Sequence, residues 1–428
     1  MDLLLVSPPV ANIGQAASSI SVLTAYLRAR GWEVDQWDAG IDAFHHFHSA
    51  EHLSLLAAQL SAEGADSSVI EAAERASASI KVAKRSLQDP ATLFEPAAME
   101  RAFETLDAAG TALSSRRPGR TRHTYRAFEV AGAFRDWASL AATLDDSEAN
   151  PYLAWTEEHA LPRILASRPA SVGVSITYLS QVIPALTLVR RLKQRVPEIP
   201  VAVGGGYLTA LGQTSRAIPR ELLPADAVLL HDGEEALSRW LSRVLDRPDH
   251  SMEPTSGEPC TSLDTVPSPS WVSDGLDLSR YLVPRYAIPL PLTRGCHWGR
   301  CHYCNISAQT SSAYRLRPLD LALSDIRQAM SQTGSNWFDF PVDSFRPDHL
   351  HRLAVELIEQ RLQIRWAAEV LMHPGLTAEV IHDLARSGCC GLRFGMESAS
   401  SEVLTAMNKP RPPQLASRIL RDCHEAGI

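Results

Sequence analysis

Short apolar runs alternate with amphipathic segments in two blocks of this sequence, and this alternation limits the possible folds more than any other feature. In the first block the apolar runs lie at residues 3–6, 32–37, 171–176, 199–203 and 227–230. Alternating strands and helices favour a parallel sheet, because two parallel strands need a crossover connection. We therefore predict an α/β fold, with a doubly wound, Rossmann-like domain over residues 1–246.

A long segment interrupts the first block. Residues from about 45 to 165 are rich in Ala, Ser, Glu and Arg at helical spacing, which predicts an α-helical insertion. A basic cluster in this segment predicts a solvated surface loop, with contact to an acidic partner as the alternative; it comprises Arg116, Arg117, Arg120, Arg122 and Arg126. We expect His45, His46 and His48 to lie on a solvated helix face rather than to bind a metal.

The second block follows a segment rich in Pro, Ser, Asp and Gly, which predicts a linker over residues 247–285. Strands are expected near residues 288–292, 337–340, 364–367 and 391–394, with helices between them. This order predicts a partial TIM-like (β/α) barrel over residues 286–428. Since the sequence stops after the fourth such strand, we expect a truncated chain, with a naturally short chain as the alternative.

Composition excludes several classes of protein. The sequence of 428 residues is 45% hydrophobic and carries a net charge of -8. A mildly acidic chain does not provide the concentrated positive field that binds nucleic acid. No apolar run reaches the ~18–20 residues of a membrane span, and the N-terminus does not resemble a signal peptide. We therefore expect a cytoplasmic protein with neither nucleic acid nor membrane as a partner.

Three of the seven cysteines lie close together in the second block. Cys296, Cys301 and Cys304 form a C-x4-C-x2-C pattern in a loop that follows an expected strand. Thiolates at this spacing favour an iron–sulfur cluster, and three protein ligands leave one position open for a small molecule. A zinc site with His297 or His302 as the fourth ligand is an alternative, and three cysteines without metal are another.

This loop resembles the cluster-binding loop of the radical S-adenosylmethionine (radical SAM) superfamily, although the common spacing there is C-x3-C-x2-C. The resemblance implies a [4Fe–4S] cluster on the three cysteines and Tyr303 against the adenine. "WAAE" at residues 366–369 and "GMESAS…VLTAMNK" at residues 395–409 resemble later segments of that family. By that resemblance, Glu369, Arg393, Glu397 and Ser398 are candidates to contact S-adenosylmethionine (SAM).

The first block resembles the cobalamin-binding domain that precedes many radical SAM barrels. The similar phrases are "LLLVSPP", "VGVSITYLSQ", "VAVGGGYLT" and "HDGEEAL". The resemblance implies a cobalamin site formed by Pro9, Ser175, Tyr178, Gly204, Gly205, Gly206, Gly233 and Glu234. No histidine follows the first strand in residues 7–14. If cobalamin binds, the resemblance therefore implies cobalt without a histidine as its lower ligand.

Together these resemblances imply a cobalamin-dependent radical SAM enzyme. Its expected reaction is methyl transfer to an unactivated carbon of a natural-product or peptide substrate through a 5′-deoxyadenosyl radical. An electron donor such as flavodoxin or ferredoxin is the expected partner. The alternatives are a radical SAM cyclase or rearrangement enzyme without methyl transfer, a module that binds cobalamin or the cluster without catalysis, and a zinc-stabilised α/β protein.

Overall fold

The computed structural model describes residues 1–10, 12–92, 95–212, 218–247, 262–306, 314–409 and 413–428, without the side chains of residues 342 and 343. These residues form two compact units. The first unit comprises Met1–Ile20, Leu27–Ser251 and Ser273–Tyr286. The second comprises Ser21–Tyr26, Met252–Val272 and Ala287–Ile428. The predicted domain boundaries and linker stay a prediction, but Trp271 and Tyr281 within the expected linker are almost completely buried.

A parallel five-stranded sheet forms the centre of the first unit. The strands of this unit are β1 (Leu3–Ser7), β2 (Val34–Asp38), β3 (Thr121–His123), β4 (Phe128–Val130), β5 (Val172–Ser175), β6 (Val201–Gly204) and β7 (Ala227–Leu229). The parallel sheet has the order β2-β1-β5-β6-β7. Chain direction across the sheet reverses between β1 and β5, and such a switch point opens a crevice at the carboxyl ends of the strands.

The helices of this part of the chain include the long helices of the insertion. They are α1 (Ser18–Arg28), α2 (Ala39–Phe47), α3 (Ala50–Ala62), α4 (Ser67–Gln88), α5 (Pro96–Leu113), α6 (Trp137–Asp145), α7 (Tyr152–Trp155), α8 (Leu161–Ser167), α9 (Val182–Arg195), α10 (Gly206–Gly212) and α11 (Gly233–Val244). A π-helical turn, Thr156–Ala160, joins α7 to α8. Single-turn 3₁₀ helices cover Leu179–Gln181 and Leu278–Arg280.

The predicted α-helical insertion also contains a pair of strands, which the sequence analysis did not predict. Strands β3 and β4 form an antiparallel hairpin in the middle of it, with Thr121 opposite Val130. Three-residue strands with only two buried side chains each are too short to produce a readable alternation in the sequence. The arginine cluster lies around this hairpin, and its members pair within the chain: Arg117 and Arg120 contact Asp146, and Arg122 contacts Glu129.

The expectation of a solvated histidine face on α2 was wrong. His48 is 1% exposed and its ring stacks on Phe44 at a centroid distance of 4.4 Å. His46 lies 4.8 Å from His52 and 4.3 Å from His159 between ring centroids. These imidazoles pack as aromatic groups between helices of the insertion, because a neutral imidazole can be buried at much lower cost than a charged one.

A second parallel sheet lies in the second unit. Its strands and the adjoining pair are β8 (Ile288–Pro289), β9 (Thr293–Arg294), β10 (Arg315–Leu316), β11 (Trp337–Phe345), β12 (Arg365–Val370) and β13 (Cys389–Phe394). The helices are α12 (Leu319–Thr333), α13 (Pro347–Glu359), α14 (Ala378–Arg386), α15 (Ser401–Ala406) and α16 (Pro413–Ala426). The parallel strands have the order β13-β12-β11-β8, so strands that succeed one another in the chain lie side by side.

The two faces of the second sheet differ in polarity. Phe338 and Phe340 of β11 are buried, as are Trp366 and Ala368 of β12. Side chains alternate between the faces of a strand, so Asp339, between the two phenylalanines, and Glu369, next to Ala368, lie on the other face. Within the described residues, no helix is both long and apolar enough to span a membrane.

Candidate active site

The three cysteines lie in one loop that begins directly after β9. Gly295 precedes Cys296 and adopts a φ of 78°, a left-handed conformation that favours glycine. Cys296 and Cys301 are partly buried, and Cys304 is exposed. The loop therefore presents its sulfur atoms at the surface of the second unit.

Contacts with the end of α15 fix this loop. The indole Nε1 of Trp298 donates to the carbonyl oxygen of Asn408 at 2.8 Å, and the amide of Asn408 donates in return to the carbonyl oxygen of Arg300 at 2.8 Å. The backbone N–H of His302 donates to the carbonyl oxygen of Met407 at 3.1 Å. Trp298, Arg300 and His302 lie among the cysteines, so these bonds hold the loop in one conformation.

The donor set fits an iron–sulfur cluster. Burial raises the pKa of the Cys301 thiol; Lys409 opposes that effect, and Cys304 and Cys296 add to it. Among the described residues, no three His, Cys, Asp or Glu side chains converge as one metal ion requires. A cubane cluster binds each thiolate to a different iron, so three cysteines of one loop match the protein ligands that it needs.

Tyr303, Glu397 and Lys409 form a hydrogen-bonded group beside the cysteines. Lys409 donates from Nζ to Oε1 of Glu397 at 2.8 Å and lies 3.4 Å from the hydroxyl of Tyr303. The hydrogen bonds from Lys409 and then from Tyr303 lower the pKa of the Glu397 carboxyl. Glu397 holds a left-handed backbone with a φ of 62°, which is uncommon for a residue other than glycine. Two of the predicted SAM-contacting residues therefore lie next to the cysteine loop.

The other predicted SAM contacts lie on the polar face of the second sheet. Arg393 donates from Nη2 to Oδ1 of Asp339 at 2.5 Å and from Nε to Oε1 of Glu369 at 3.3 Å. About half of the Arg393 and Glu369 side chains remains exposed. Ser398 accepts a hydrogen bond at Oγ from the backbone N–H of Ser400 at 3.1 Å, which orders the loop after β13. The structure thus pairs Glu369 with Arg393 and puts Glu397 in a separate group with Tyr303.

The predicted cobalamin residues lie at the carboxyl edge of the first sheet. Pro9 follows β1, and Ser175 ends β5 on the other side of the switch point. Ser175 lies 3.2 Å from the hydroxyl of Ser19 between the two Oγ atoms. Tyr178 is 65% exposed, so its side chain is open to a ligand. These positions agree with a ligand crevice at this edge, and their role stays a prediction.

The three consecutive glycines follow β6 at the same edge. At Gly205, φ is 113° and a Cβ would lie 2.3 Å from the carbonyl oxygen of Ile176, so only glycine fits. Gly204 and Gly206 flank it, and α10 begins at Gly206. This packing brings bare backbone to the edge, which suits close approach by a bulky ligand.

Gly233 and Glu234 begin α11, directly after the β7 loop. Glu234 is only 3% exposed, so its carboxylate faces the protein interior in this structure. A role of Gly233 and Glu234 in binding cobalamin stays a prediction.

Three polar residues at these sites received no role in the sequence analysis. Asp339 interrupts the apolar pair Phe338 and Phe340, and this alternation signals that it faces away from the core. Lys409 ends the "VLTAMNK" phrase, and Gln181 ends "VGVSITYLSQ". Gln181 is 3% exposed and contacts backbone groups of two loops, a role that only the tertiary structure reveals.

Comparisons with known proteins show which proteins this chain is similar to. Residues 290–428 match the radical SAM superfamily. A bacteriochlorophyllide d C-12(1)-methyltransferase of Chlorobaculum tepidum is 34% identical over 128 residues, which are 28% of this chain and 27% of that protein. An uncharacterized methyltransferase of Pyrococcus horikoshii is 25% identical over 276 residues, 61% of this chain and 58% of that one. The matched segments thus span less than two thirds of either relative.

Solved structures share the fold. One of them is the radical SAM methyltransferase TsrM from Kitasatospora setae, with tryptophan substrate and a SAM analogue bound. It aligns with a TM-score of 0.61 and 16% identity, and the alignment covers 100% of this chain and 66% of that chain. The cobalamin-dependent SAM radical enzyme OxsB with aqua-cobalamin aligns with a TM-score of 0.51 and 17% identity over 63% of this chain and 41% of that chain. The match to the radical SAM superfamily thus covers the cysteine loop and the strands β11, β12 and β13 that follow it.

Proposed function

We propose that this chain is a cobalamin-dependent radical SAM methyltransferase. The observation that carries the proposal is the loop with Cys296, Cys301 and Cys304, which opens a parallel β/α series matching the radical SAM superfamily. In this proposal the second unit is a partial TIM-like barrel that binds a [4Fe–4S] cluster and SAM. The first unit is a Rossmann-like cobalamin-binding domain with an insertion.

The residues of the second unit have separate tasks in this proposal. Cys296, Cys301 and Cys304 hold the cluster, and Arg393 orients SAM together with Glu369. When bound, the cluster supplies the electron that cleaves SAM to a 5′-deoxyadenosyl radical, and methylcobalamin supplies the methyl group. The polar face with Asp339 and Arg393 offers charged partners to the amino-acid end of SAM, because a guanidinium matches a carboxylate geometrically.

The first unit holds cobalamin at its switch point in this proposal. Gly205 keeps the backbone close to the ligand, while the hydroxyls of Ser175 and Tyr178 are candidates to bond its polar groups. The sequence from Ser7 to Gly14 has no histidine to bind cobalt from below. We therefore expect this loop to hold cobalamin without supplying an imidazole ligand to its cobalt.

The substrate is proposed to be a small natural product or a peptide. The comparison with TsrM, whose structure contains a tryptophan substrate, supports a small substrate. Flavodoxin or ferredoxin is the proposed electron donor, and the cytoplasm the proposed location.

Anaerobic reconstitution of the chain with iron, sulfide and cobalamin tests this proposal. We expect a brown protein with about four irons per chain that binds cobalamin, and release of 5′-deoxyadenosine after SAM and a reductant are added. Cys301→Ala is expected to lose the cluster, because a missing thiolate leaves one iron without its protein ligand. Cys390→Ala, which removes an exposed cysteine of β13, is the matched control. Wild-type protein without iron after reconstitution would refute the proposal, as would zinc in its place.

A further inference from the structure

Lys409 is a nearly buried cation beside the cysteine loop. Its side chain is 8% exposed, and its Nζ lies 2.8 Å from Oε1 of Glu397. The hydroxyl of Tyr303, one residue before Cys304, lies 3.4 Å from the same Nζ. A buried ammonium group needs such partners, because burial without them costs several kcal/mol.

The backbone around Lys409 holds this ammonium group in place. The backbone N–H of Lys409 donates to the carbonyl oxygen of Leu404 at 2.8 Å, and Asn408 adopts a left-handed φ of 55°. Asn408 is also bonded to Trp298 and Arg300 of the cysteine loop. A Cβ on Gly395 would lie 2.7 Å from the Glu397 carboxylate and 2.8 Å from Nζ of Lys409. The ion pair is therefore packed against the end of β13.

The charge of Lys409 lies beside the cysteine loop. Its Nζ is 3.4 Å from the hydroxyl of Tyr303, which stands between Cys301 and Cys304 in the sequence. Electrostatic interactions are stronger where water is largely excluded, as at this side chain. The carboxylate of Glu397, in the loop after β13, neutralises part of the positive charge of Lys409.

We propose that Lys409 is a positioning residue that fixes Glu397 and Tyr303 and places a positive charge beside the iron–sulfur cluster. The inference rests on the proposed function, since it needs a cluster on Cys296, Cys301 and Cys304. Reduction adds one negative charge to a cluster, so a nearby cation stabilises the reduced form and raises the reduction potential. Removal of the carboxylate partner leaves that cation uncompensated and raises the potential further.

Redox titrations of reconstituted protein, followed by electron paramagnetic resonance, test this inference. We expect Lys409→Met to lower the midpoint potential by at least 59 mV, which is a tenfold loss in the equilibrium constant for reduction by one electron. Lys409→Arg is expected to keep the potential near that of the wild type, because it keeps the charge. Glu397→Gln is expected to shift the potential upward. Arg418→Met is the control. It removes a cation of the same unit, which pairs with Asp422 on α16, and should leave the potential unchanged.

The outcomes separate this inference from the proposed function. Wild-type protein that takes up no iron overturns both. Wild-type protein with a cluster, together with unchanged potentials in Lys409→Met and Glu397→Gln, overturns the inference alone. If Lys409→Met assembles no cluster, Glu397→Gln decides: an upward shift supports the inference, and a downward shift or none overturns it. A structural role alone would not move the potential in opposite directions in the two variants.

Discussion

Arg393 donates a hydrogen bond to Asp339 at 2.5 Å although their strands are not neighbours. Strand β12 lies between β11 and β13, and its Glu369 accepts a second bond from the same guanidinium. Glu369 lies directly opposite Arg393 in the register of β12 and β13. One side chain thus spans three adjacent strands on the polar face of the second sheet.

Arg393→Met is expected to weaken SAM binding by about tenfold or more, because one charge-assisted hydrogen bond contributes about 1.5–3 kcal/mol. The stability of the fold should change by less than about 1 kcal/mol, since the pair is half exposed. Equilibrium dialysis of SAM against reconstituted protein measures the affinity. Arg386→Met, which removes a surface ion pair with Asp383, is the control. An unchanged affinity of Arg393→Met for SAM would show that Arg393 does not contribute to SAM binding.

Gly205→Ala is expected to destabilise the first unit by more than about 2 kcal/mol and to impair cobalamin uptake. The new Cβ would lie 2.3 Å from the carbonyl oxygen of Ile176, so the loops after β5 and β6 must move apart. Urea denaturation measures the stability. Gly119→Ala is the control, because Gly119 also has a positive φ, of 71°, but nothing lies within 4 Å of its Cβ position. We expect Gly119→Ala to lower the free energy of unfolding by only about 1 kcal/mol. Equal losses in the two variants would contradict the steric argument.

The parallel strands were predictable because each is a short apolar run between helices. The expected strand at residues 337–340 is the beginning of β11, and those at 364–367 and 391–394 overlap β12 and β13. The pairing of Arg393 with Asp339 was not predictable, because 54 residues separate them and the sequence does not reveal register. The prediction of a solvated histidine face on α2 was wrong for a related reason. The packing of His46 depends on His52 and His159, which come from other helical segments.

Arg317→Met is expected to destabilise the second unit by about 3–5 kcal/mol, because it leaves a buried carboxylate without its partner. Arg317 donates from Nε and Nη2 to the two oxygens of Asp325 at 2.8 and 2.9 Å, and from Nη1 to the carbonyl oxygen of Val266 at 2.5 Å. Both side chains are at most 6% exposed. Chemical denaturation measures the loss. The double variant Arg317→Met/Asp325→Leu should recover part of it; a double variant less stable than Arg317→Met would contradict a charge effect.

Acidification from pH 6.5 towards pH 4 is expected to destabilise the insertion. Burial lowers the pKa of His52 to about 4 and that of His123 to about 3. An unfolded histidine binds its proton near pH 6.5, so the unfolded state takes up more protons than the folded state between pH 6.5 and 4. The free energy of unfolding therefore decreases as the pH is lowered. Burial raises the pKa of Asp38 to about 6, which works in the opposite direction, but several histidines outweigh one carboxyl.

The variant His52→Gln tests the source of this acid sensitivity. It is expected to reduce the loss of stability between pH 6.5 and 4 by about 1–2 kcal/mol, since an amide does not titrate. Urea denaturation at several pH values gives the slope. His382→Gln, at an exposed position of α14, is the control and should leave the slope as in the wild type. An unchanged slope in His52→Gln would assign the effect to other groups.

The side chain of Gln181 connects the two loops that flank the switch point. Its Oε1 accepts from the backbone N–H groups of Thr177 and Tyr178 at 2.8 and 3.1 Å, and its Nε2 donates to the carbonyl oxygen of Pro8 at 2.9 Å. In the proposed cobalamin site, a redesign for a different corrinoid can therefore vary the exposed Tyr178, but it has to retain the glutamine. One carboxamide sets the width of the opening between the loops, and a shorter asparagine would draw them together or release one of them.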